Sequence, residues 1–179
     1  MPFSKISGFF RIEPDFIQTA TAGKSDFSII RQIASETWPL TYAEVISMQQ
    51  IKYMLLWMFS EESLTQQLAD GHQFLLAKDD QKPVGFISYQ SNLENGTTTK
   101  IHKIYILPSA QGLGVGRLLI NEALKGARDA NNDRIILYVN RKNPAVMFYH
   151  RLGFVTLREE DNEIGEGFWM NDYVMEYKL

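Results

Sequence analysis

Three glycines at alternate positions, Gly112, Gly114 and Gly116, lie between a β-compatible run at 104–107 and a helix-compatible segment at 117–131. Glycine lets the backbone approach a ligand closely and lets several N–H groups point in one direction. The loop also leads into a helix N-terminus, which carries about half a positive charge from the helix macrodipole. The stretch therefore predicts a strand–loop–helix unit that binds a phosphate or pyrophosphate group.

Two other phosphate-binding loops do not fit these residues. A P-loop has Lys followed by Ser or Thr after its last glycine, whereas this chain has Arg117 and Leu118 there. A dinucleotide-binding fold has the spacing G-x-G-x-x-G and an acidic residue at the end of the next strand. Here the spacing is G-x-G-x-G, and the next strand ends at Asn140. A plain connecting turn stays an alternative for the loop taken alone.

The order of helical and strand patterns predicts one mixed α/β domain without repeats or a linker. A helix begins near Asp26 and is predicted to end at Pro39, while Ser47 and Ser60 are suitable N-caps for two more helices. An Asn-Gly pair at 95–96 indicates a hairpin turn. Strands are predicted at 16–20, 73–78, 84–90, 98–107, 134–139, 154–157 and 173–177, and further helices at 117–131 and 143–152.

Composition excludes several classes of protein. The 179 residues are 45% hydrophobic and 22% charged with a net charge of −3, which is typical of a globular protein and lacks the basic surplus of nucleic-acid binders. The absence of cysteine excludes disulfides, thiolate metal sites and an acyl-cysteine intermediate. No apolar run reaches the roughly 18 residues that span a bilayer. We therefore expect a cytoplasmic protein with no membrane partner and with a poorly specified lead-in at 1–14.

Two segments together resemble the signatures of the GNAT acetyltransferase superfamily. Residues 111–116, Gln-Gly-Leu-Gly-Val-Gly, are similar to its Q/R-x-x-G-x-G/A motif, and residues 104–108 to its fourth strand. Residues 139–154 are similar to its second motif, N-x-A-x-x-F-Y-x-x-x-G-F. The resemblance extends over roughly residues 16–179 and implies an acetyltransferase domain at 15–179. The implied fold is a mostly antiparallel twisted sheet of about seven strands, with about four to five helices and a splay between strands 4 and 5.

Within the superfamily, the chain most resembles bacterial spermidine/spermine N-acetyltransferases and their unassigned relatives. The similarity lies in Trp38 and Tyr42, in Ser-Glu-Glu at 60–62 and in Met-Asn-Asp-Tyr at 170–173. This resemblance implies acetyl transfer from acetyl-CoA to a primary amine, with a polyamine or another small amine as the acceptor. An amino sugar, an amino acid, an antibiotic, or a protein N-terminus or lysine stays open as the acceptor. The resemblance is also consistent with a homodimer.

The resemblance further implies how acetyl-CoA is bound, as a co-substrate and without a metal ion. The backbone of Ile104, Tyr105 and Ile106 would pair with the pantetheine amides across the splay. Asn140 is a candidate pantetheine contact, and Asn143 is expected to cap its helix and to contact the cofactor. The pyrophosphate would bind to the loop residues Gln111, Gly112, Leu113, Gly114, Val115, Gly116 and Arg117.

Tyr149 is the predicted general acid, because a phenol with a pKa near 10 can protonate the departing CoA thiolate. Tyr149 also matches the tyrosine of the superfamily motif, and the resemblance implies that it contacts the cofactor. Many superfamily members have a carboxylate base on the fourth strand, where this chain has Lys100 and His102. His102 is the predicted substitute base, since its unperturbed pKa is near 6.5. Strict alternation would place it on the same face as Ile104 and Ile106. Lys100 would repel a polyamine if it faces the pocket.

The acceptor pocket is expected between the first two helices and the closing strands, with Trp38, Tyr42 and Glu44 as candidate lining. The predicted reaction is direct attack of the amine on the thioester in a ternary complex, with the N–H of Ile104 polarising the carbonyl. A non-catalytic acetyl-CoA sensor stays an alternative, favoured by the missing strand carboxylate. A dinucleotide-dependent oxidoreductase is disfavoured, since its acidic ribose ligand is absent.

Overall fold

A seven-stranded sheet extends through the described part of the chain. The computed structural model describes residues 17–179, so the lead-in predicted at 1–14 lies outside it. The strands are β1 (Ile17–Ala22), β2 (Gln73–Asp79), β3 (Lys82–Asn92), β4 (Thr98–Ile106), β5 (Arg134–Asn140), β6 (Val155–Gly165) and β7 (Phe168–Lys178). They lie in the order β1-β2-β3-β4-β5-β7-β6, in which β4 and β5 run parallel and the other neighbours antiparallel. The predicted single mixed α/β domain is confirmed.

Five helices of seven residues or more cover the two faces of the sheet. They are α1 (Phe27–Tyr42), α2 (Met48–Phe59), α3 (Glu61–Ala69), α4 (Val115–Asp129) and α5 (Ala145–Arg151). Short helical turns occur at Lys24–Asp26, Leu93–Gly96 and Pro108–Ala110. Across residues 17–179, no helix is long and apolar enough to cross a membrane.

Each face of the sheet has its own hydrophobic core. One core packs α4 and α5 against inward side chains such as Ile101, Leu137 and Met175, each at most 3% exposed. The other core packs α1, α2 and α3 against Phe74, Phe86 and their neighbours. We call these two sides the α4–α5 face and the α1–α3 face.

Most local sequence signals are confirmed, but the predicted end of the first helix and the predicted lengths of the two closing strands are wrong. The hydroxyls of Ser47 and Ser60 accept hydrogen bonds from the N–H groups three residues later, each at 3.1 Å, as N-caps do. Helix α1 continues through Pro39 to Tyr42, however, because the hydrophobic contacts of its last turn outweigh the loss of one hydrogen-bond donor. The closing strands are also longer than predicted: β6 is a largely exposed edge strand whose charged residues resemble a loop in the sequence.

A bulge interrupts β4 in its middle. Ser88 of β3 pairs with Lys103, whereas the next residue, Tyr89, pairs with Ile101. His102 is therefore the extra residue on β4. An extra residue reverses the inside–outside alternation along a strand, so the faces on either side of the bulge differ from those that strict alternation predicts.

Candidate active site

Strands β4 and β5 separate at the centre of the sheet. Their parallel pairing ends at Ile101 and Leu137. Beyond this point β4 continues to pair with β3 as far as Ile106, and β5 continues to pair with β7 as far as Asn140. Among the described residues, the edge of β4 that faces β5 therefore has no ladder partner from 102 to 106. Such an edge offers free N–H and C=O groups to an extended ligand that contains amides. The predicted splay is confirmed.

The gap opens into a cleft of about 830 Å³. Its walls come from α1, β4, the loop that follows β4, β5 and α5. The predicted site residues that line it are Tyr42, His102, Ile104, Tyr105, Ile106, Gln111, Gly112, Gly114, Gly116, Arg117, Asn143 and Tyr149. The predicted site residues outside the lining are Trp38, Glu44, Leu113, Val115 and Asn140. The structure thus brings most of the predicted residues to one place.

The glycine loop ends the cleft at the N-terminus of α4. Gly112 and Gly114 have φ values of 78° and 84°, which residues with a Cβ rarely adopt. The N–H of Leu118 bonds to the carbonyl of Gly114 at 3.0 Å, so the N–H groups of residues 115–117 precede the first bonded turn. These free N–H groups and the helix dipole are suited to bind an anion. Val115 anchors the loop, since its side chain is 1% exposed in the core.

Two contacts join the loop to the strand and helix beside it. The side-chain N–H of Gln111 donates to the carbonyl of Ile106 at 3.1 Å. A Cβ on Gly116 would lie 3.0 Å from Cζ of Phe148 and 3.1 Å from Cδ1 of Ile106. The absence of a side chain at Gly116 therefore lets α4, β4 and α5 meet closely at the floor of the cleft.

Tyr149 lies on α5 and is 6% exposed. Its ring packs against Phe148 and Phe154, with centroids 5.4 and 5.9 Å away, and the residue lines the cleft. Burial raises the pKa of Tyr149 well above its ordinary value, and the nearby Tyr42 adds to this effect. The phenol is therefore neutral and a proton donor over the physiological pH range.

The two predicted asparagines hold the turn between β5 and α5. Oδ1 of Asn143 accepts a hydrogen bond from the N–H of Ala145 at 2.9 Å, so its predicted capping role is confirmed. Nδ2 of Asn143 also lies 3.5 Å from the hydroxyl of Tyr42 across the cleft. Oδ1 of Asn140 accepts from the N–H of Lys142 at 3.0 Å, and Asn140 is buried. Asn140 therefore shapes the turn from beside the cleft.

The face predicted for His102 is wrong because His102 is the bulge residue. Ile104 and Ile106 pack on the α4–α5 face. The ring of His102 instead stacks on that of His72, with centroids 3.9 Å apart, and its Nε2 lies 3.2 Å from Oε1 of Gln90. His72 in turn stacks on Phe74 in the core of the α1–α3 face.

These surroundings disfavour the base role predicted for His102. Burial, together with the nearby His72, Lys100 and Lys103, lowers the pKa of His102 to about 2. A group with such a pKa has little affinity for a proton at neutral pH. Its proximity to the cleft is correct, but its chemistry is that of a neutral ring.

The three predicted acceptor residues occupy different environments. Trp38 is 1% exposed and packs behind the cleft, 4.7 Å from the ring of Tyr42 and 5.8 Å from that of Tyr105. Tyr42 lines the cleft itself, at the end of α1. Glu44 lies exposed on the turn after α1. Of the three, Tyr42 is the residue that lines the cleft, and Trp38 packs against it.

A buried carboxylate that the motifs did not reveal lies on the same side of the sheet. Asp172 in β7 pairs with Asn140 in β5 and is 8% exposed, and its Oδ1 has no hydrogen-bond partner within residues 17–179. Burial raises the pKa of Asp172 to about 6, against a smaller opposing effect of Arg141. Its place depends on the β5–β7 pairing, which no local pattern predicts.

Within residues 17–179, no group of three or more His, Asp or Glu residues is placed to hold a metal ion.

Known proteins share both the sequence pattern and this geometry. Residues 42–177 match the family described as "Acetyltransferase (GNAT) domain". The chain is 34% identical over 104 residues to the uncharacterized N-acetyltransferase MJ1207 of Methanocaldococcus jannaschii, a match that covers 55% of this chain and 44% of that relative. The match thus spans less than half of that relative's length. The chain's matches to two mycothiol acetyltransferases each span about a quarter of the length of those proteins.

A relative of similar length is the spermidine N(1)-acetyltransferase of Thermoplasma acidophilum, which is 26% identical over 159 residues and matches 86% of this chain and 91% of its own. Among solved structures, the PaiA N-acetyltransferase of Thermoplasma acidophilum in complex with coenzyme A superposes with a TM-score of 0.75 at 24% identity. That superposition covers 91% of this chain and 99% of the other, and it shows the same fold. Because the family match takes in most of the chain, the protein belongs to the GNAT acetyltransferase family.

Proposed function

We propose that the protein transfers an acetyl group from acetyl-CoA to a primary amine. The observation that carries the proposal is the unpaired edge of β4, which leads from the centre of the sheet to the glycine loop. This arrangement suits a ligand with amides at one end and a pyrophosphate at the other. Acetyl-CoA has both, and its thioester would then lie beside Tyr149.

The cofactor would be held mainly by backbone groups. The free edge formed by Ile104, Tyr105 and Ile106 would pair with the pantetheine amides. The N–H groups at 115–117 and the open backbone at Gly112 and Gly114 would bind the pyrophosphate. The exposed Arg117 would add a charged contact at the mouth of the cleft.

The transfer would proceed by direct attack of the amine on the thioester within a ternary complex. The chain has no cysteine to carry an acyl intermediate, and the cleft extends from the glycine loop to Tyr42 on α1. Holding the two reactants together supplies a large part of the rate. A backbone N–H on the free edge of β4 would stabilise the developing oxyanion.

Tyr149 would protonate the departing thiolate. Its raised pKa keeps the phenol protonated over the physiological pH range, so that the hydroxyl has a proton to donate when the thiolate leaves. The N–C bond forms first and gives a tetrahedral oxyanion. When the oxyanion collapses to the amide carbonyl, the C–S bond breaks and the phenolic proton passes to sulfur. The phenolate then regains a proton from solvent or from the attacking nitrogen.

The acceptor would be a small amine that enters from the α1–α3 face beside Tyr42. The name of the Thermoplasma relative, spermidine N(1)-acetyltransferase, supports an amine acceptor of that size. A protein N-terminus or lysine is the alternative acceptor within the same chemistry. The homodimer and the cytoplasmic location stay predictions, which sedimentation and cell fractionation would check.

The test is release of free CoA from acetyl-CoA, followed with a thiol reagent, against a panel of amines that includes spermidine, amino acids and short peptides. We expect turnover with one class of amine and intersecting initial-velocity lines, as a ternary complex requires. Parallel lines would contradict direct attack. Tight binding of acetyl-CoA without turnover on any amine would instead support the non-catalytic sensor.

A further inference from the structure

Asp172 is a buried carboxylate, one of whose oxygens has no hydrogen-bond donor in the described chain. It is 8% exposed, and within residues 17–179 its Oδ1 receives no hydrogen bond. A buried carboxylate oxygen without a donor is costly and is uncommon unless a ligand supplies the donor. The acetyl-transfer steps described above make no use of this group.

The side chain of Asp172 lies on the α1–α3 face of the sheet, from which the acceptor is proposed to enter. It pairs directly with Asn140, and side chains of directly paired residues lie on the same face. Tyr138 lies two residues before Asn140 on β5 and so shares that face, and it lines the cleft. The nearby charge of Asp172 also contributes to the raised pKa of Tyr42, the cleft residue on α1.

Lys100 carries an opposite charge on this face, as does Lys103, which lines the cleft and donates to Oε1 of Gln67 at 2.6 Å. Nζ of Lys100 lies 3.9 Å from the ring centroid of Tyr138, and Lys100 pairs with Ile136, the neighbour of Tyr138 on the same face. Burial lowers the pKa of Lys100, and the acidic groups near it, Glu160 and Asp172 among them, act in the opposite direction. In the described chain Lys100 has no carboxylate oxygen within 4.0 Å.

The other charged groups around Asp172 are already paired. Arg141 contacts Glu159 and Asp161, and Arg158 contacts Glu160. Asp172 and Lys100 are therefore left as a carboxylate and an ammonium on the two strands that flank β5. They lie beside Tyr138, which lines the cleft, but outside the lining themselves, and in the described chain no N···O contact within 4.0 Å joins them. A ligand with both signs of charge would satisfy both groups, whereas a second cationic centre near Lys100 would be repelled.

We propose that Asp172 and Lys100 form the acceptor subsite, and that the acceptor is an amine that also carries a carboxylate. Asp172 binds the ammonium group and removes its proton, while Lys100 binds the carboxylate over the ring of Tyr138. This inference rests on the proposed acetyl transfer and specifies its acceptor. It replaces the carboxylate that other superfamily members place on the fourth strand by one on β7.

The protons balance as follows. The ammonium gives one proton to Asp172, and the free amine attacks the thioester carbonyl. As the C–S bond breaks, the thiolate takes a proton from Tyr149, and the nitrogen gives up its second proton to restore the phenol. Asp172 then releases its proton to solvent. The net reaction is an ammonium and a thioester giving an amide, a thiol and one proton.

The test compares L-amino acids with their carboxamides, which differ only at the carboxylate, and adds spermidine. The wild-type protein should use the acids at least about tenfold better than the amides in kcat/KM. Lys100→Met should bring this ratio close to one, and Lys100→Glu should improve spermidine relative to the acids. Lys82→Met, at an exposed site on β3, is the matched control and should leave the ratio unchanged.

Asp172→Asn should lower kcat/KM for every amine about a hundredfold and remove the acidic limb of the pH profile, which the pKa of about 6 places near neutrality. Asp80→Asn, on the exposed β2–β3 turn, is its control, and calorimetric CoA binding checks that each variant is folded. Equal use of acids and amides, an unchanged ratio in Lys100→Met or full activity of Asp172→Asn would overturn the inference. Absence of turnover with every amine would overturn the proposed acetyl transfer itself.

Discussion

The imidazole rings of His72 and His102 stack with their centroids 3.9 Å apart, and this contact joins the bulge of β4 to the segment that follows α3. His72 lies 3.3 Å from the hydroxyl of Ser88, on the strand opposite the bulge. The stack therefore packs the bulge residue against the segment that precedes β2. Burial of His102, together with the nearby His72 and two lysines, lowers its pKa to about 2, so the ring is neutral near pH 7.

Replacement of His102 by Gln should leave catalysis largely intact. Because the pKa of His102 is lowered to about 2, the ring cannot store a proton at neutral pH. We expect kcat to stay within about threefold of wild type between pH 6 and pH 9. Steady-state rates of CoA release measure this. A loss of more than about tenfold that follows pH would restore His102 as the base.

The histidine stack should make the fold sensitive to acid. The pKa of His72 is lowered to about 4 and that of His102 to about 2, whereas both are near 6.5 in the unfolded chain. Their contribution to stability is present above pH 6.5 and is lost as the pH falls below it. His102→Phe should therefore lose about 2 kcal/mol less than wild type between pH 7 and pH 5 in urea titrations. Parallel losses in the two proteins would show that the stack does not titrate.

Gly114→Ala should separate cofactor binding from backbone strain. Gly114 has φ of 84° and Gly167 has φ of 74°, and an added Cβ would meet no atom within 4 Å at either position. Both substitutions should cost about 1–2 kcal/mol in unfolding free energy because of the left-handed backbone. Gly114→Ala alone should also raise the Kd for CoA, by about tenfold, since its methyl group enters the anion site. Calorimetric titration that gives equal Kd values for both variants would contradict a cofactor role for the loop.

Tyr149→Phe should lower kcat about a hundredfold and leave the KM for acetyl-CoA almost unchanged. The hydroxyl is proposed to act on the leaving sulfur, a contact that strengthens only in the transition state. Tyr177→Phe is the matched control, because Tyr177 packs on Phe154 outside the cleft. Equal turnover numbers for the two variants would assign the acid role to solvent.

Asp172→Asn should stabilise the protein at alkaline pH. The pKa of Asp172 is raised to about 6 from its ordinary 3.8, so its contribution to stability is present below about pH 4 and is lost as the pH rises through about 6. Removal of the charge should add about 1–3 kcal/mol of unfolding free energy at pH 8 and little at pH 4. Urea unfolding at both pH values measures the difference. A destabilised variant at pH 8 would mean that the carboxylate has a structural partner.

Much of the fold and half of the site follow from local sequence. The serine caps of α2 and α3, the glycine loop and the Asn143 cap depend on residues within a few positions of one another, and all were predictable. The loop is the strongest case, since three glycines at alternate positions leave few other structures. Local rules suffice wherever the partners of a group are its sequence neighbours.

The features that sequence did not predict depend on pairing between distant strands. The bulge at His102 exists only relative to β3, and it reverses the face that alternation predicts. Asp172 becomes a candidate for chemistry because β7 lies beside β5, which buries its carboxylate. At Pro39 a local signal predicted a helix end that does not occur, because packing of the last turn of α1 overrides it.

The divergence of β4 and β5 also has a mechanical consequence. Four residue pairs, from Thr98–Arg134 to Ile101–Leu137, carry the ladder between the two halves of the sheet. A pantetheine arm bound in the gap would hydrogen-bond to both strands and extend that ladder, much as an added strand does. We expect the amides along the gap to exchange with solvent as two independent units in the free protein and as one unit with the cofactor bound. The two halves of the sheet would then open as one cooperative unit only when the cofactor is bound.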